Sequence, residues 1–102
     1  MARGKPVVLK TRFFANQKDA TAYFKDMLNR YRPKQRVSDE DARDLYALLA
    51  RHAEYEEKVG VGIDHFEVMS AEFRTQCFRL VRVDGTGEDF SYPQCISQRG
   101  RG

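Results

Sequence analysis

The stretch NQKDATAYFKDMLNRYRPKQRVSDEDARDLYALL, residues 16–49, decides the fold because it encodes two amphipathic helices joined by a short basic link. Asn16 is a favourable N-cap, and the apolar residues after it recur at the spacing of one helix face. Those residues are Ala20, Tyr23, Phe24, Met27, Leu28 and Tyr31. Pro33 disfavours helical backbone at Arg32, so we expect the first helix to end there. The pattern predicts one helix with a single buried face.

A second helix is predicted to begin after Ser38, which also suits an N-cap position. Three carboxylates follow in its first turn, where they interact favourably with the helix dipole; they are Asp39, Glu40 and Asp41. Its predicted buried residues are Ala42, Leu45, Tyr46 and Leu49. A short link between two helices favours their packing as a helical hairpin.

Four segments outside the helices favour strands because they are rich in β-branched and aromatic residues. They are residues 7–13, 63–69, 77–83 and 90–92, with a glycine-containing turn at 84–87 before the last one. We therefore predict an α+β fold of order β-α-α-β-β-β, with a small, mostly antiparallel sheet packed against two helices. We expect residues 1–96 to form one domain and residues 97–102 a flexible Arg/Gly tail.

The composition is that of an ordinary globular protein, with 41% hydrophobic and 32% charged residues in a chain of 102. No apolar run is long enough for a membrane span, and no export signal is visible, which predicts a cytoplasmic protein without membrane association. Cys77 and Cys95 are then expected to remain free thiols in or near the core. We expect a monomer that needs no cofactor.

Charge is unevenly distributed along the chain. Residues 1–36 carry ten Lys and Arg against two acidic residues, whereas residues 37–72 carry three against ten. Such a distribution can create a basic face that suits a polyanion, or the two segments can neutralise each other in the folded domain.

Candidate catalytic and metal-binding residues give weaker signals. His52, His65, Cys77 and Cys95 lack the close spacing of structural zinc ligands. His52 is interpreted as a dipole partner at the end of the second helix, and His65 is expected to point away from Asp64 across the strand. Asp64, Asp84 and Asp89 can be drawn as magnesium ligands of a hydrolase, but acidic residues are also common in turns. We predict no catalytic residues and no metal site.

Basic residues give the most usable functional signal. Arg30, Arg32, Lys34 and Arg36 place four cations within seven residues, at a helix end and its link. Arg74, Arg79 and Arg82 add cations from the predicted sheet, and Phe90 or Tyr92 can offer a ring for base stacking if exposed. These seven cations are the predicted nucleic-acid-binding residues.

A family resemblance is carried by an ordered set of residues between Arg30 and Ile96. They are Tyr31, Asp41, Leu45, Leu48-Leu49, His52, Gly60-x-Gly62-x-Asp64, Cys77-Phe78, Arg82-x-Asp84-Gly85, Asp89-Phe90-Ser91-Tyr92 and Cys95-Ile96. This pattern resembles the DCL-like domain, named for the "defective chloroplasts and leaves" proteins of plants, a domain of unknown function in bacteria. The resemblance implies plant relatives in plastid ribosomal RNA maturation and at the end of the largest subunit of RNA polymerase V.

Three hypotheses follow. In the first, a non-enzymatic domain binds RNA, including ribosomal RNA during processing, through the seven cations. In the second, the acidic segments Asp39 to Asp44 and Glu54 to Glu57 dock a basic protein partner. In the third, Asp64, Asp84 and Asp89 serve a metal-dependent hydrolase. Arg82 can instead hold the hairpin by pairing with Asp84 or Asp89.

Overall fold

A computed structural model describes residues 6–52, 54–72 and 75–97 of the chain. Its elements in chain order are β1 Val7–Val8, β2 Phe13–Phe14, α1 Gln17–Asn29, α2 Asp39–Leu49, α3 Tyr55–Val59, β3 Ile63–Ser70, β4 Gln76–Arg82, β5 Gly87–Phe90 and α4 Tyr92–Ser97. β3, β4 and β5 form an antiparallel sheet in that order, and β1 pairs with β2 in a separate hairpin. The predicted α+β class is confirmed.

The core lies between the inner face of the sheet and the helices. Phe66, Val68, Phe78, Leu80 and Phe90 line the sheet side and are all buried. Alternation along each strand places these residues on one face. The helices contribute Phe24, Met27, Leu45, Leu48, Leu49, Cys95 and Ile96, which are also buried. The apolar periodicity of α1 and α2 thus faces the sheet.

Both predicted N-caps form. The Asn16 side chain accepts a hydrogen bond from the Asp19 amide at 2.8 Å, and Ser38 Oγ accepts one from the Asp41 amide at 3.2 Å. α1 nevertheless ends at Asn29, earlier than predicted, and Tyr31 lies beyond it. Gln76 Nε2 donates to the carbonyl oxygens of Leu28 and Tyr31, both at 3.0 Å, so a side chain from the sheet satisfies the end of this helix.

Two strand predictions were wrong in extent. Residues 7–13 do not form one strand, because the chain turns after Leu9 and pairs Val7 with Phe14. That turn leaves the polar residues between the apolar ends exposed and buries Leu9 and Phe14 in the core. The last strand begins at Gly87 and ends at Phe90, and Pro93 lies inside α4 rather than ending a strand. Proline is tolerated there because the amides of the first helical turn need no partner within the helix.

Burial differs from prediction at α2. Tyr46 is 39% exposed, and Leu48 takes its place in the buried stripe. The Tyr46 ring lies at the margin of the stripe and packs against the rings of Tyr55 and Phe66. In the predicted tail, Ser97 is the last residue of α4, and residues 98–102 lie outside the described residues.

A buried polar cluster ties the β1–β2 hairpin to both long helices. Asp44 of α2 is 3% exposed, accepts a hydrogen bond from the Tyr23 hydroxyl at 2.5 Å and lies 3.2 Å from the Arg12 guanidinium. Burial alone raises the pKa of Asp44, but hydrogen bonds from Thr11, Tyr23 and Arg12 outweigh it and hold the pKa below its ordinary value. Burial and the bond to Asp44 raise the pKa of Tyr23 to about 12.

Candidate nucleic-acid interface

The basic link between α1 and α2 forms an additional edge of the sheet. We call residues 30–37 the basic linker. The amide of Val37 donates to the Phe66 carbonyl at 2.9 Å, and the Val68 amide donates to the Gln35 carbonyl at 3.0 Å. Arg36 is bridged to Glu67 in antiparallel fashion. The linker therefore lies along the side of β3 that β4 does not occupy, with its backbone fixed by sheet hydrogen bonds.

Local contacts fix the linker further. The Gln35 side chain accepts a hydrogen bond from the Arg32 amide at 2.9 Å, which closes a tight turn around Pro33. Lys34 adopts a φ of 75°, a left-handed conformation that residues with a Cβ rarely adopt. Its amide still donates to the Val68 carbonyl. A strained residue held in place by surrounding contacts is often found at functional sites.

Tyr31 anchors the beginning of the linker to the start of α2. Its hydroxyl donates to the Asp41 carboxylate at 2.6 Å and accepts a hydrogen bond from the Ser38 amide at 3.1 Å. With the Gln76 bonds at the end of α1, both ends of the linker are fixed to the body of the domain. Cations on such a segment lose little backbone entropy when a ligand binds.

The linker cations differ in their surroundings. Arg32, Lys34 and Arg36 are exposed, and the described residues form no salt bridge with any of the three. The charge of Arg36 does influence Asp64: the hydrogen bond from His65 has the largest effect in lowering the pKa of the Asp64 carboxyl group, and the charge of Arg36 lowers it further. Arg30 is shared with acidic residues, lying 3.4 Å from Asp41 and 3.9 Å from Asp26.

The sheet arginines lie among acidic side chains. Arg79 is 3.2 Å from Asp89 and 3.8 Å from Glu67, and register places these residues with Arg36 in one row across the open face of the sheet. The row alternates in charge from Arg36 to Asp89. Such pairing across neighbouring strands favours the sheet and leaves Arg79 less available to a phosphate.

Of the predicted binding residues that the structure describes, Arg82 makes the most side-chain hydrogen bonds. It donates to the Lys58 carbonyl at 2.8 Å, to Thr86 Oγ1 at 3.2 Å and to Glu88 at 2.6 Å, and its side chain is 13% exposed. Its carboxylate partner is thus Glu88, not Asp84 or Asp89. Burial raises the pKa of Glu88, but hydrogen bonds from Lys58 and Arg82 reverse the direction and lower it. Arg74 lies outside the described residues.

Part of the acidic segment serves the fold. Asp41 accepts from Tyr31 and Asp44 lies in the buried cluster, so neither presents a free carboxylate. Asp39, Glu40, Glu54, Glu56 and Glu57 are exposed. Docking of a basic protein through these residues remains a prediction.

The cysteines lie where the sequence predicts, whereas His65 does not. His52 is buried, and its Nδ1 accepts a hydrogen bond from the Glu54 amide at 2.9 Å, which closes a turn after α2. His65 does contact Asp64, at 2.7 Å, because a bulge between Ile63 and His65 interrupts the alternation of faces. Both cysteines are free, and burial raises the pKa of the Cys95 thiol to about 11.

The three carboxylates considered as magnesium ligands each bind a different side chain. Asp64 bonds to His65, Asp89 pairs with Arg79, and Asp84 accepts hydrogen bonds from the hydroxyl and amide of Thr86, which lower its pKa. Within residues 6–52, 54–72 and 75–97, no group of three or more His, Cys, Asp or Glu residues is placed to hold a metal ion. In the same ranges, no helix has the length and apolar character to cross a membrane.

The structure distinguishes the two candidate stacking residues and adds one residue that the sequence analysis missed. Phe90, a candidate stacking residue, is 5% exposed and belongs to the core, whereas the Tyr92 ring is half-buried beside two cavities. Gln76 carried no sequence signal, although it fixes the end of α1. Because its partners are 45 and 48 residues away, only the folded structure brings them together.

Comparison with known proteins supports the family resemblance. A solved solution structure of an uncharacterized protein from Rhodospirillum rubrum is 45% identical, covers 93% of this chain and 91% of its own, and superimposes with a TM-score of 0.85. The chloroplastic "Protein DCL homolog" of Arabidopsis thaliana is 40% identical over 66% of this chain and 32% of its own length. "DNA-directed RNA polymerase IV subunit 1" of the same plant is 33% identical over 71% of this chain and 5% of its own.

The chain spans less than half the length of the curated relatives that it matches. A family model described as "Protein of unknown function (DUF3223)" matches residues 25–96. This range includes the last part of α1 from Lys25, all of α2, the basic linker and the whole three-stranded sheet. With the DCL homologue among its relatives, the chain belongs to this DUF3223 family of DCL-like domains.

Proposed function

We propose that this domain binds RNA, including ribosomal RNA, through phosphate contacts made by the basic linker, without catalysing a reaction. The observation that carries the proposal is that Arg32, Lys34 and Arg36 are exposed on a segment whose backbone is hydrogen-bonded to β3. Fixed cations along a sheet edge suit a phosphate backbone, because each contact releases condensed counterions from the nucleic acid.

Charge partition within the domain supports this proposal. Salt bridges with acidic side chains are formed by Arg12, Lys58, Arg79 and Arg82, whereas Arg32 and Lys34 form none with the described residues. A matching segment also occurs in a relative that is named as a subunit of an RNA polymerase, which supports an RNA-associated role. Arg30 is a secondary contact in this proposal because it already faces Asp41.

The test is a fluorescence-anisotropy titration of labelled RNA at two salt concentrations. Three phosphate contacts predict a slope of about −2 for the logarithm of affinity against the logarithm of salt concentration, so affinity falls roughly twentyfold over a fourfold rise in salt. An Arg32/Lys34/Arg36→Ala variant is expected to bind more weakly with a nearly flat salt dependence.

The matched control is a Lys10/Lys18/Arg43→Ala variant, which removes three exposed cations outside the linker and has the same net charge. It is expected to keep the wild-type salt slope. Equal losses in the two variants would indicate attraction by net charge alone, and no binding at low salt would refute the proposal.

A further inference from the structure

Two neighbouring cavities lie beside Tyr92, and we refer to the pair as the groove. The first, of about 520 Å³, is lined by Lys58, Cys77 and Asp89 among others, and the second, of about 450 Å³, by Lys25, Asn29 and Tyr31. Gln76 and Tyr92 line both cavities, so the two are adjacent. Each volume is in the range of small-ligand pockets.

Tyr92 differs from the other four tyrosines in the hydrogen bonding of its hydroxyl group. The hydroxyls of Tyr23 and Tyr31 bind carboxylates, and those of Tyr46 and Tyr55 bind each other. Among the described residues, the Tyr92 hydroxyl has no hydrogen-bond partner. Its half-buried ring is supported edge-on by Phe78, with centroids 6.0 Å apart and planes at 76°. The ring is thus supported on one side by the core, while it also lines both cavities of the groove.

The groove reaches the basic linker. Tyr31, which lines the second cavity, lies between Arg30 and Arg32, and Lys25 lies on the same cavity wall. Lys58 lines the first cavity, but its ammonium group is paired with Glu88 at 3.1 Å, so the available cations lie at the linker end of the groove. A supported aromatic ring beside a groove that leads to exposed cations is an arrangement by which proteins bind single-stranded nucleic acids. A base that is paired and stacked in a duplex cannot reach such a ring.

We infer that Tyr92 is a base-stacking site for single-stranded RNA, which follows the groove while its phosphates contact the basic linker. This inference rests on the proposed function and adds the class of RNA and a second contact. It predicts that binding depends on the presence of bases as well as on phosphates, and that a duplex of the same sequence binds more weakly.

The experiment compares a short single-stranded RNA with the same RNA carrying abasic residues, which keep the phosphates and remove the bases. The wild-type protein is expected to bind the abasic RNA about tenfold more weakly. Tyr92→Leu should weaken binding of the ordinary RNA by a similar factor and leave binding of the abasic RNA unchanged. Tyr92→Phe keeps the ring and should bind like the wild type, as should Tyr46→Leu, a matched change at the exposed tyrosine of α2.

The comparison of the two RNAs with the wild-type protein needs no substitution, so it remains decisive if Tyr92→Leu does not fold. Equal affinity for both RNAs, with the linker variant still weakened, would overturn the stacking site and leave the proposed function intact. The same holds if Tyr92→Leu weakens both RNAs equally or if Tyr92→Phe is as weak as Tyr92→Leu. No binding of either RNA at low salt would overturn the proposed function and the stacking site with it.

Discussion

Replacing Lys34 with glycine is expected to raise the stability of the domain while weakening its binding to RNA. Lys34 has a φ of 75°, which costs a residue with a Cβ about 1–2 kcal/mol, whereas glycine adopts it freely. Glycine also gains conformational freedom in the unfolded chain, which opposes this by about 0.5–1 kcal/mol. The expected net gain is about 0.5–1 kcal/mol in the free energy of unfolding.

Lys34→Ala is the matched control, because it removes the same charge and keeps the Cβ. Its stability is expected to stay within about 0.5 kcal/mol of the wild type, since an exposed side chain without a salt bridge to the described residues is lost. Urea unfolding followed by circular dichroism measures both variants. The midpoint of thermal unfolding should rise by about 4 °C for glycine relative to alanine.

Binding of RNA should respond to charge and not to stability. Both variants lose one phosphate contact and should reduce the salt slope by about 0.7. If Lys34→Gly is less stable than Lys34→Ala, residue 34 is not held in the left-handed conformation and the argument for a fixed linker is wrong. If RNA affinity is unchanged in both, Lys34 contacts no phosphate.

Three further predictions concern the polar contacts of the fold. Asp44→Asn should lower stability at pH 7 by about 1–3 kcal/mol. Because folding lowers the pKa of Asp44, the stabilisation by its carboxylate is fully present above a pH of about 4 and is lost as the pH falls further. Urea titrations across pH should therefore show a smaller loss of stability in acid for the variant than for the wild type. Arg82→Ala should cost about 2 kcal/mol in the same assay, whereas Arg32→Ala should change stability by less than about 0.5 kcal/mol; equal effects would contradict the structural role of Arg82. Gly87→Ala places a Cβ 2.8 Å from the Arg79 guanidinium and should displace it, at a cost of about 0.5 kcal/mol that disappears in an Arg79→Ala background.

The sequence predicted those parts of the fold that depend on neighbouring residues. The caps at Asn16 and Ser38 and the apolar stripes of α1 and α2 are local patterns, and the structure confirms them with limited changes. The β1–β2 hairpin and the bulge after Ile63 were missed because both are set by what the strands pack against. A period of two along a sequence carries no information on where a strand is interrupted.

The candidate interface was predicted in composition and not in geometry. Four cations in residues 30–36 are visible in the sequence, but the pairing of this segment with β3 joins residues about 30 positions apart. The same limit applies to Arg82. Its partners Lys58 and Glu88 come from α3 and β5, so a sequence cannot show that its charge is already satisfied.

The uneven charge along the chain allowed two interpretations, a basic face for a polyanion or mutual neutralisation of the two segments. Each interpretation applies to a different set of residues. Where a cation lies among elements that pack together, an acidic side chain is placed beside it, as Asp44 is beside Arg12 and Glu88 beside Arg82. A buried or half-buried cation without a partner would be costly, so the packed part of the fold requires neutralisation. Arg32 and Lys34 lie on a linker that contacts the sheet through its backbone, so the fold gains its hydrogen bonds without using their charges. Lys10, Lys18, Lys25 and Arg43 are also exposed and have no salt bridge with the described residues, but they are widely spaced along the chain. The linker instead places Arg32, Lys34 and Arg36 within five residues on a hydrogen-bonded backbone, so a phosphate-binding role is expected there rather than across the whole basic half of the sequence.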